Sequence, residues 1–393
     1  MSSLRLGRRP GVARQIVVRN VRCEAGFVAA TIHVGTVRHC VEVHTPHDVT
    51  PPGADPFVPL TLLPALVLGA DVRVEGEVTE QTLRAAERVQ CLFARWFPEL
   101  HPVRVDAAPR SPGPPAYGVA SLFSGGVDSY YSALEGYGEL TNLLFVLGFD
   151  VPLEDSPLRE LVLTRIRAAA AALDLPLLEA RTNLRAFLDP YVPWHFAHGP
   201  AIAAVAMTLT GRLGEIRIPS SSIPMVCGTH PELDPLWSTI EQRFVHHAPG
   251  VGRLAKLRLV ARSATAMQYL RVCWENVGGE YNCGHCEKCL RTLAGLRIVG
   301  GGASAPSFPS PLDLSAVRRA RVPDVLTEHL WRELRAGALA AGDDELAVAV
   351  EAALRAGRVA RAVERVRDLA GRVPRVRRAW RLVKGALWDD GMP

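Results

Sequence analysis

From Val119 to about Ser220 short apolar runs alternate with helix-like segments. GVASLF, NLLFVLGF, LPLLEAR and EIRIPS read as strands. The segments after Asp128, over roughly 156–173 and over roughly 196–212 read as helices. This alternation predicts an α/β fold, with a doubly wound parallel sheet and helices on both faces. Ligands of such sheets bind beyond the carboxyl ends of the strands. SGGVDS, GFD and IPSSS stand at those ends.

The flanks have a different texture. QIVVRNVRC, FVAATIHV and HCVEVHT suggest a small antiparallel sheet, followed by a Pro-rich loop. A strand, VRVEGEV, and a helix over roughly 79–97, capped by Thr79, come next. The proline-rich DAAPRSPGPPAYG reads as a domain boundary. Beyond about 311 the pattern is helical and strandless, and eleven basic residues face two acidic ones between Arg355 and Lys384. The expected organisation is a small α+β domain over 1–115, a core over 116–305 and an Arg-rich helical extension over 306–393.

At 393 residues, 48% of them hydrophobic, the chain has the profile of an enzyme-sized globular protein. A formal charge of +5 is a weak excess, and only three of the basic residues are lysines. No apolar run is long enough for a membrane span, and the start MSSLRLGRRPGVARQ lacks the apolar stretch of a secretory signal. The expected location is the cytoplasm, where cysteines serve as thiols or metal ligands rather than disulfides.

SGGVDS falls between a strand and a helix. Gly125 and Gly126 let the backbone turn and approach a ligand closely. The first amides of the helix, from Val127 on, have no internal partner and sit at the positive end of its dipole. Ser124 and Ser129 add hydroxyls. The turn suits a pyrophosphate-sized anion, and Asp128 suits a place beside Mg²⁺. Neither the Walker pattern nor G-x-G-x-x-G is present.

The second dense feature is CWENVGGEYNCGHCEKCLRTLAGL. Cys283, Cys286 and Cys289 are each two residues apart, and Cys273 precedes them. Four thiolates fit a tetrahedral Zn²⁺ of structural type; an Fe–S cluster uses the same number. His285 reads as lying outside the ligand set.

These two segments carry a resemblance. SGGVDS resembles the signature of the PP-loop ATP pyrophosphatases, whose fold is adenine nucleotide alpha-hydrolase-like. The cysteine segment with its R-x-x-G-L sequel is similar to that of 7-cyano-7-deazaguanine synthase, of which this chain looks like a divergent relative over roughly 119–300. The resemblance implies ATP, Mg²⁺ and structural Zn²⁺. It implies that residues 124–129 hold the departing pyrophosphate and that Gly148 and Phe149 neighbour the adenine. Lys288 and Arg291 of the cysteine segment are candidates to offset charge on the leaving group, Arg291 because it falls on the shared R-x-x-G-L pattern, with an exposed cation as the alternative for Lys288.

The implied activity is that of an AMP-forming carbon–nitrogen ligase. It would adenylate a carboxylate or amide oxygen, and ammonia or an amine would then give an amide or, after dehydration, a nitrile. The alternatives are thiolation of tRNA or a small molecule, with Cys227 as the sulfur-carrying candidate, and nucleotide sensing without turnover. HFAHGP, IPSSSIPMVCGTHPELDPLWS and RFVHH do not map onto the deazaguanine pocket. They offer His198, His230, Glu232 and Asp234 as candidate contacts. Expected partners are a small molecule or modified nucleoside, an ammonia-supplying or carrier protein, RNA on the basic tail, and a second copy in a homodimer.

Overall fold

The computed structural model describes residues 15–24, 26–45, 53–154, 156–221, 226–301 and 305–372. The described residues up to Asn282 form one compact unit, and those from Cys283 onward form a second.

The first unit is built on one ten-stranded sheet. Its elements in order are β1 (Gln15–Glu24), β2 (Phe27–Val34), β3 (Val37–His44), α1 (Phe57–Leu68), β4 (Asp71–Thr79), α2 (Glu80–Trp96) and β5 (Val105–Arg110). Then come β6 (Gly118–Leu122), α3 (Val127–Glu135), β7 (Asn142–Leu147), α4 (Ser156–Ala172), β8 (Leu177–Thr182), α5 (Leu184–Leu188) and α6 (Trp194–Met207). The unit ends with β9 (Leu213–Pro219), β10 (Arg243–His247), α7 (Arg253–Val260) and α8 (Ala264–Tyr269). The strand order is β10-β9-β6-β7-β8-β3-β2-β1-β4-β5.

The α/β expectation holds: β10, β9, β6, β7 and β8 are mutually parallel. The near-continuous apolar run of β7 follows from burial on both faces; its Leu143, Leu144, Phe145 and Leu147 are all buried. The small separate sheet expected at the N-terminus is corrected. β1–β3 are antiparallel as read, but β4 and β5 add in parallel, and β3 joins β8 through Val43↔Thr182 and His44↔Arg181. Only two residue pairs make that junction, so side chains complete it. Asn183 Oδ1 accepts from the Glu42 amide at 2.9 Å, Asn183 Nδ2 donates to the Cys40 carbonyl at 2.9 Å, and the Thr182 hydroxyl donates to the Glu42 carbonyl at 2.6 Å. An edge strand with open amides and carbonyls templates pairing, and β8 supplies the partner.

The proline-rich stretch after β5 is anchored. Arg110 bridges Asp55 at 2.8 Å and Glu241 at 2.7 Å, with its side chain only 14% exposed. Glu241 also accepts from the Gly113 amide at 2.7 Å. Thr79 caps α2 as the sequence indicates, accepting from the Thr82 amide. α1 is apolar all round and buried, and packs against α6. RFVHH, which the sequence offered as a pocket segment, is strand β10.

The second unit contains α9 (Glu287–Ile298), α10 (Leu314–Arg318), α11 (Val325–Ala340) and α12 (Asp344–Arg372). Buried Trp331 and the bidentate Arg297–Asp343 pair, at 2.6 and 2.8 Å, hold it together. Three arginines of the basic segment are engaged within it. Arg355 and Arg358 pair with Glu351, and Arg361 pairs with Glu328. The remainder of that segment, from residue 373, lies outside the described residues. Among the described residues, no helix is long and apolar enough to cross a membrane.

Candidate functional site

From β6 the chain runs outward to β7 and β8 on one side, then returns to place β9 and β10 on the other. The sheet therefore has a switch point beside β6, where α/β folds open a crevice at the carboxyl ends of the strands. A cavity of about 270 Å³ lies there. The ends of β6, β7 and β9, the loop after β7, α6 and the segment 226–233 build its wall. Ser124, Asp128, Ser129, Phe149, Asp150, Trp194, His198, Thr229 and Arg271 bring its functional groups.

The glycine turn brings Ser124, Asp128 and Ser129 to the lining. Gly125 has φ +77°, the left-handed region that favours glycine. A Cβ there would come within 2.9 Å of Ile166 Cδ1 and 3.5 Å of Arg271 Cβ. Gly126 is the N-cap of α3 and provides no side chain to satisfy the first amides, so those of Val127, Asp128 and Ser129 begin the helix without a side-chain cap. Val127 is buried and anchors the turn to the core. Ser129 Oγ donates back to the Gly126 carbonyl at 2.9 Å, while Ser124 is exposed.

Asp128 sits between two cations. Arg253 donates to Oδ2 at 2.7 Å and Lys256 Nζ to Oδ1 at 3.0 Å. Lys256 is 1% exposed, and its ammonium also reaches the carbonyl and hydroxyl of Ser220. Burial alone would raise the Asp128 carboxyl, but Arg253 and Lys256 outweigh it and hold its pKa below the ordinary value. The carboxylate that the sequence placed beside Mg²⁺ is thus already engaged by protein cations.

On the opposite wall the Phe149 and Trp194 rings meet edge to face at 5.1 Å, and the Arg185 guanidinium covers Trp194 at 4.7 Å. Arg185 also donates to the Phe149 carbonyl at 2.9 Å. Gly148, expected beside the adenine, turns the chain instead. Its φ is +99°, and a Cβ there would fall 1.9 Å from the Thr182 carbonyl oxygen. His198 Nε2 lies 3.4 Å from Thr229 Oγ1.

The segment 226–233 presses against α6, where the Gly228 carbonyl sits 1.5 Å from the place a Gly199 Cβ would occupy. Asp234 is buried, with His246 Nδ1 2.6 Å from its carboxylate, and it accepts from the His230 amide. Glu232 pairs with Arg95 at the surface. These three therefore shape the loop and do not line the cavity. The Cys227 thiol donates to the Thr229 carbonyl at 3.0 Å, and burial pushes its pKa up. It lacks the lowered pKa of a reactive thiol.

Cys273, Cys283, Cys286 and Cys289 are all buried, and their sulfurs all lie within 4.8 Å of one another. A tetrahedral zinc with Zn–S bonds near 2.3 Å implies sulfur separations of about 3.8 Å. Cys283 and Cys289 are 3.9 Å apart. The Cys286 amide donates to Cys283 Sγ at 3.3 Å, and Gly284 turns the knuckle at φ +77°. This set could hold a metal ion such as zinc. His285 is exposed and points its Nδ1 at the Cys283 carbonyl, so it takes no part in the sulfur cluster.

Lys288 and Arg291 lie on α9 of the second unit, whereas all residues lining the cavity belong to the first. Arg291 is buried and donates to Glu287 at 2.7 Å, and the Trp331 indole donates to the same carboxylate at 2.7 Å.

Sequence reasoning missed Lys256, Arg253, Trp194 and Arg271. Lys256 left one signal: it stands between Leu254 and Leu257 on α7, on the buried side of that helix. No protein-family model, no curated protein and no solved structure matches this chain.

Proposed function

We propose that the chain binds ATP in the cavity at the switch point and transfers AMP to a substrate oxygen, releasing pyrophosphate. The observation that carries this reading is the SGG turn, with left-handed Gly125 and the uncapped start of α3, whose Ser124, Asp128 and Ser129 line that cavity. Such a start favours an anion. The Phe149–Trp194 pair offers aromatic surface for a base.

In this reading the phosphates lie along residues 124–129, and Lys256 and Arg253 lend positive potential from behind Asp128. With Asp128 already paired to Arg253 and Lys256, Mg²⁺ would be held at Asp150, the other carboxylate lining the cavity, and would supply charge neutralisation on the phosphates. A substrate carboxylate or amide oxygen attacks the α-phosphorus, the bond to the bridging oxygen breaks, and pyrophosphate leaves. Ammonia or an amine then displaces AMP. Positioning and electrostatic stabilisation carry most of the catalysis. Zinc in the four-cysteine site would be structural.

Incubating the purified chain with ATP and a panel of carboxylates, amides and nucleosides, with nucleotides separated by chromatography, tests the proposal. Substrate-dependent AMP and pyrophosphate is the expected result. ADP and phosphate would overturn it.

A further inference from the structure

The chain between α8 and the last three cysteines does more than lead into the sulfur cluster. Its first residue after Leu270, Arg271, meets the glycine turn through its backbone, the Arg271 amide donating to the Gly125 carbonyl at 2.8 Å. Arg271 lines the cavity together with Ser124, Asp128 and Ser129. It is buried, and its Nη2 donates to Asn276 Oδ1 at 2.7 Å. Asn276 takes a left-handed conformation, φ +52°, and its Nδ2 donates to the Asp150 carbonyl at 2.9 Å. One amide side chain thus clasps the arginine on one hand and the loop after β7 on the other.

The base of the segment is equally fixed. Asn282 Oδ1 accepts from the amides of Val272 and Cys273 at 2.9 and 3.2 Å, and its Nδ2 donates to the Leu270 carbonyl at 2.8 Å. Arg271 is held from both sides within a stretch that ends on Cys273, two positions away.

We propose that Arg271 is an anion-binding residue of the cavity, gripping the pyrophosphate portion of the bound nucleotide, and that Asn276 is its positioning residue. The inference rests on the reading of the glycine turn as a phosphate site. A guanidinium makes charge-assisted, two-pronged hydrogen bonds to phosphate oxygens, which an amide side chain cannot match. The clasp keeps the long arginine side chain ordered before the anion arrives, so less freedom is lost on binding.

The test is calorimetric titration of the metal-loaded full chain with inorganic pyrophosphate, alongside melting temperature and bound-metal content. Arg271→Gln keeps a polar side chain of moderate length but removes the charge, and should weaken pyrophosphate binding by about tenfold or more. Arg271→Lys should recover part of that loss. Asn276→Ala should weaken binding by a smaller factor with metal content unchanged. Equal affinity for the unaltered chain and Arg271→Gln would overturn the inference and leave the phosphate reading intact. Failure of the unaltered chain to bind pyrophosphate or ATP at all would overturn both.

Discussion

Lys256 is the more deeply buried partner of its ion pair with Asp128, 1% exposed against 29%. That asymmetry fixes which partner is more costly to remove. Asp128→Asn leaves a buried ammonium without its counter-charge, and breaking a buried pair in this way costs roughly 3–5 kcal/mol. Lys256→Met leaves Asp128 with Arg253 at 2.7 Å and access to water. Its cost is about 2 kcal/mol, the scale of a charged hydrogen bond. The double variant removes both charges of the pair but also takes the carboxylate from Arg253, so it should cost more than Lys256→Met alone and clearly less than the sum. Urea denaturation of the four proteins at neutral pH measures all three differences.

The acid limb gives an independent check on the same pair. Asp128 has its carboxyl lowered in the folded chain. Its contribution is therefore complete above the unfolded value near 4 and fades as pH falls through the folded value, so the gap between the unaltered chain and Asp128→Asn should narrow in acid. Lys256→Met costing more than Asp128→Asn, or strict additivity of the two, would refute the reasoning.

Gly125→Ala forces an L-residue into φ +77° and should cost about 1–2 kcal/mol in stability. Its larger effect should be on ATP or pyrophosphate affinity, measured by calorimetry, because the turn itself must move. Asn282→Ala strands two buried amides and a carbonyl and should destabilise by roughly 2–4 kcal/mol, read from thermal melting. Cys289→Ser should abolish stoichiometric metal binding, scored by elemental analysis of the purified chain, while Cys227→Ala leaves it unchanged.

The alternation of apolar runs with helix-like segments from Val119 onward made the parallel half of the sheet legible, most clearly at β7, whose run is apolar because it is buried. SGGVDS and the cysteine spacing were legible because glycine turns and metal knuckles are local in sequence. The junction of β3 with β8 was not legible. It rests on two backbone pairs and on Asn183 and Thr182, residues whose polar side chains look like an ordinary turn. Lys256 was hidden for the same kind of reason, since one lysine in an amphipathic helix reads as solvated until its carboxylate partner, 128 residues away, is placed. Arg271 belongs to no motif, and only the fold brings it to the turn. Arg291 came from the shared R-x-x-G-L pattern and Lys288 from its place in the cysteine segment, and the cavity is lined without either of them.

The same β3–β8 junction sets an order of events during synthesis. The Thr182 hydroxyl reaches a carbonyl 140 residues earlier in the chain. On the ribosome, β1 to β3 emerge first and can zip into a hairpin meander at once. The outer edge of β3 then stays open until β8 has left the exit tunnel, and contacts of such long range form slowly. For that interval the nascent chain carries an unprotected strand edge. A chaperone that shields such edges should bind this protein most strongly before residue 182 is exposed, and release it soon after.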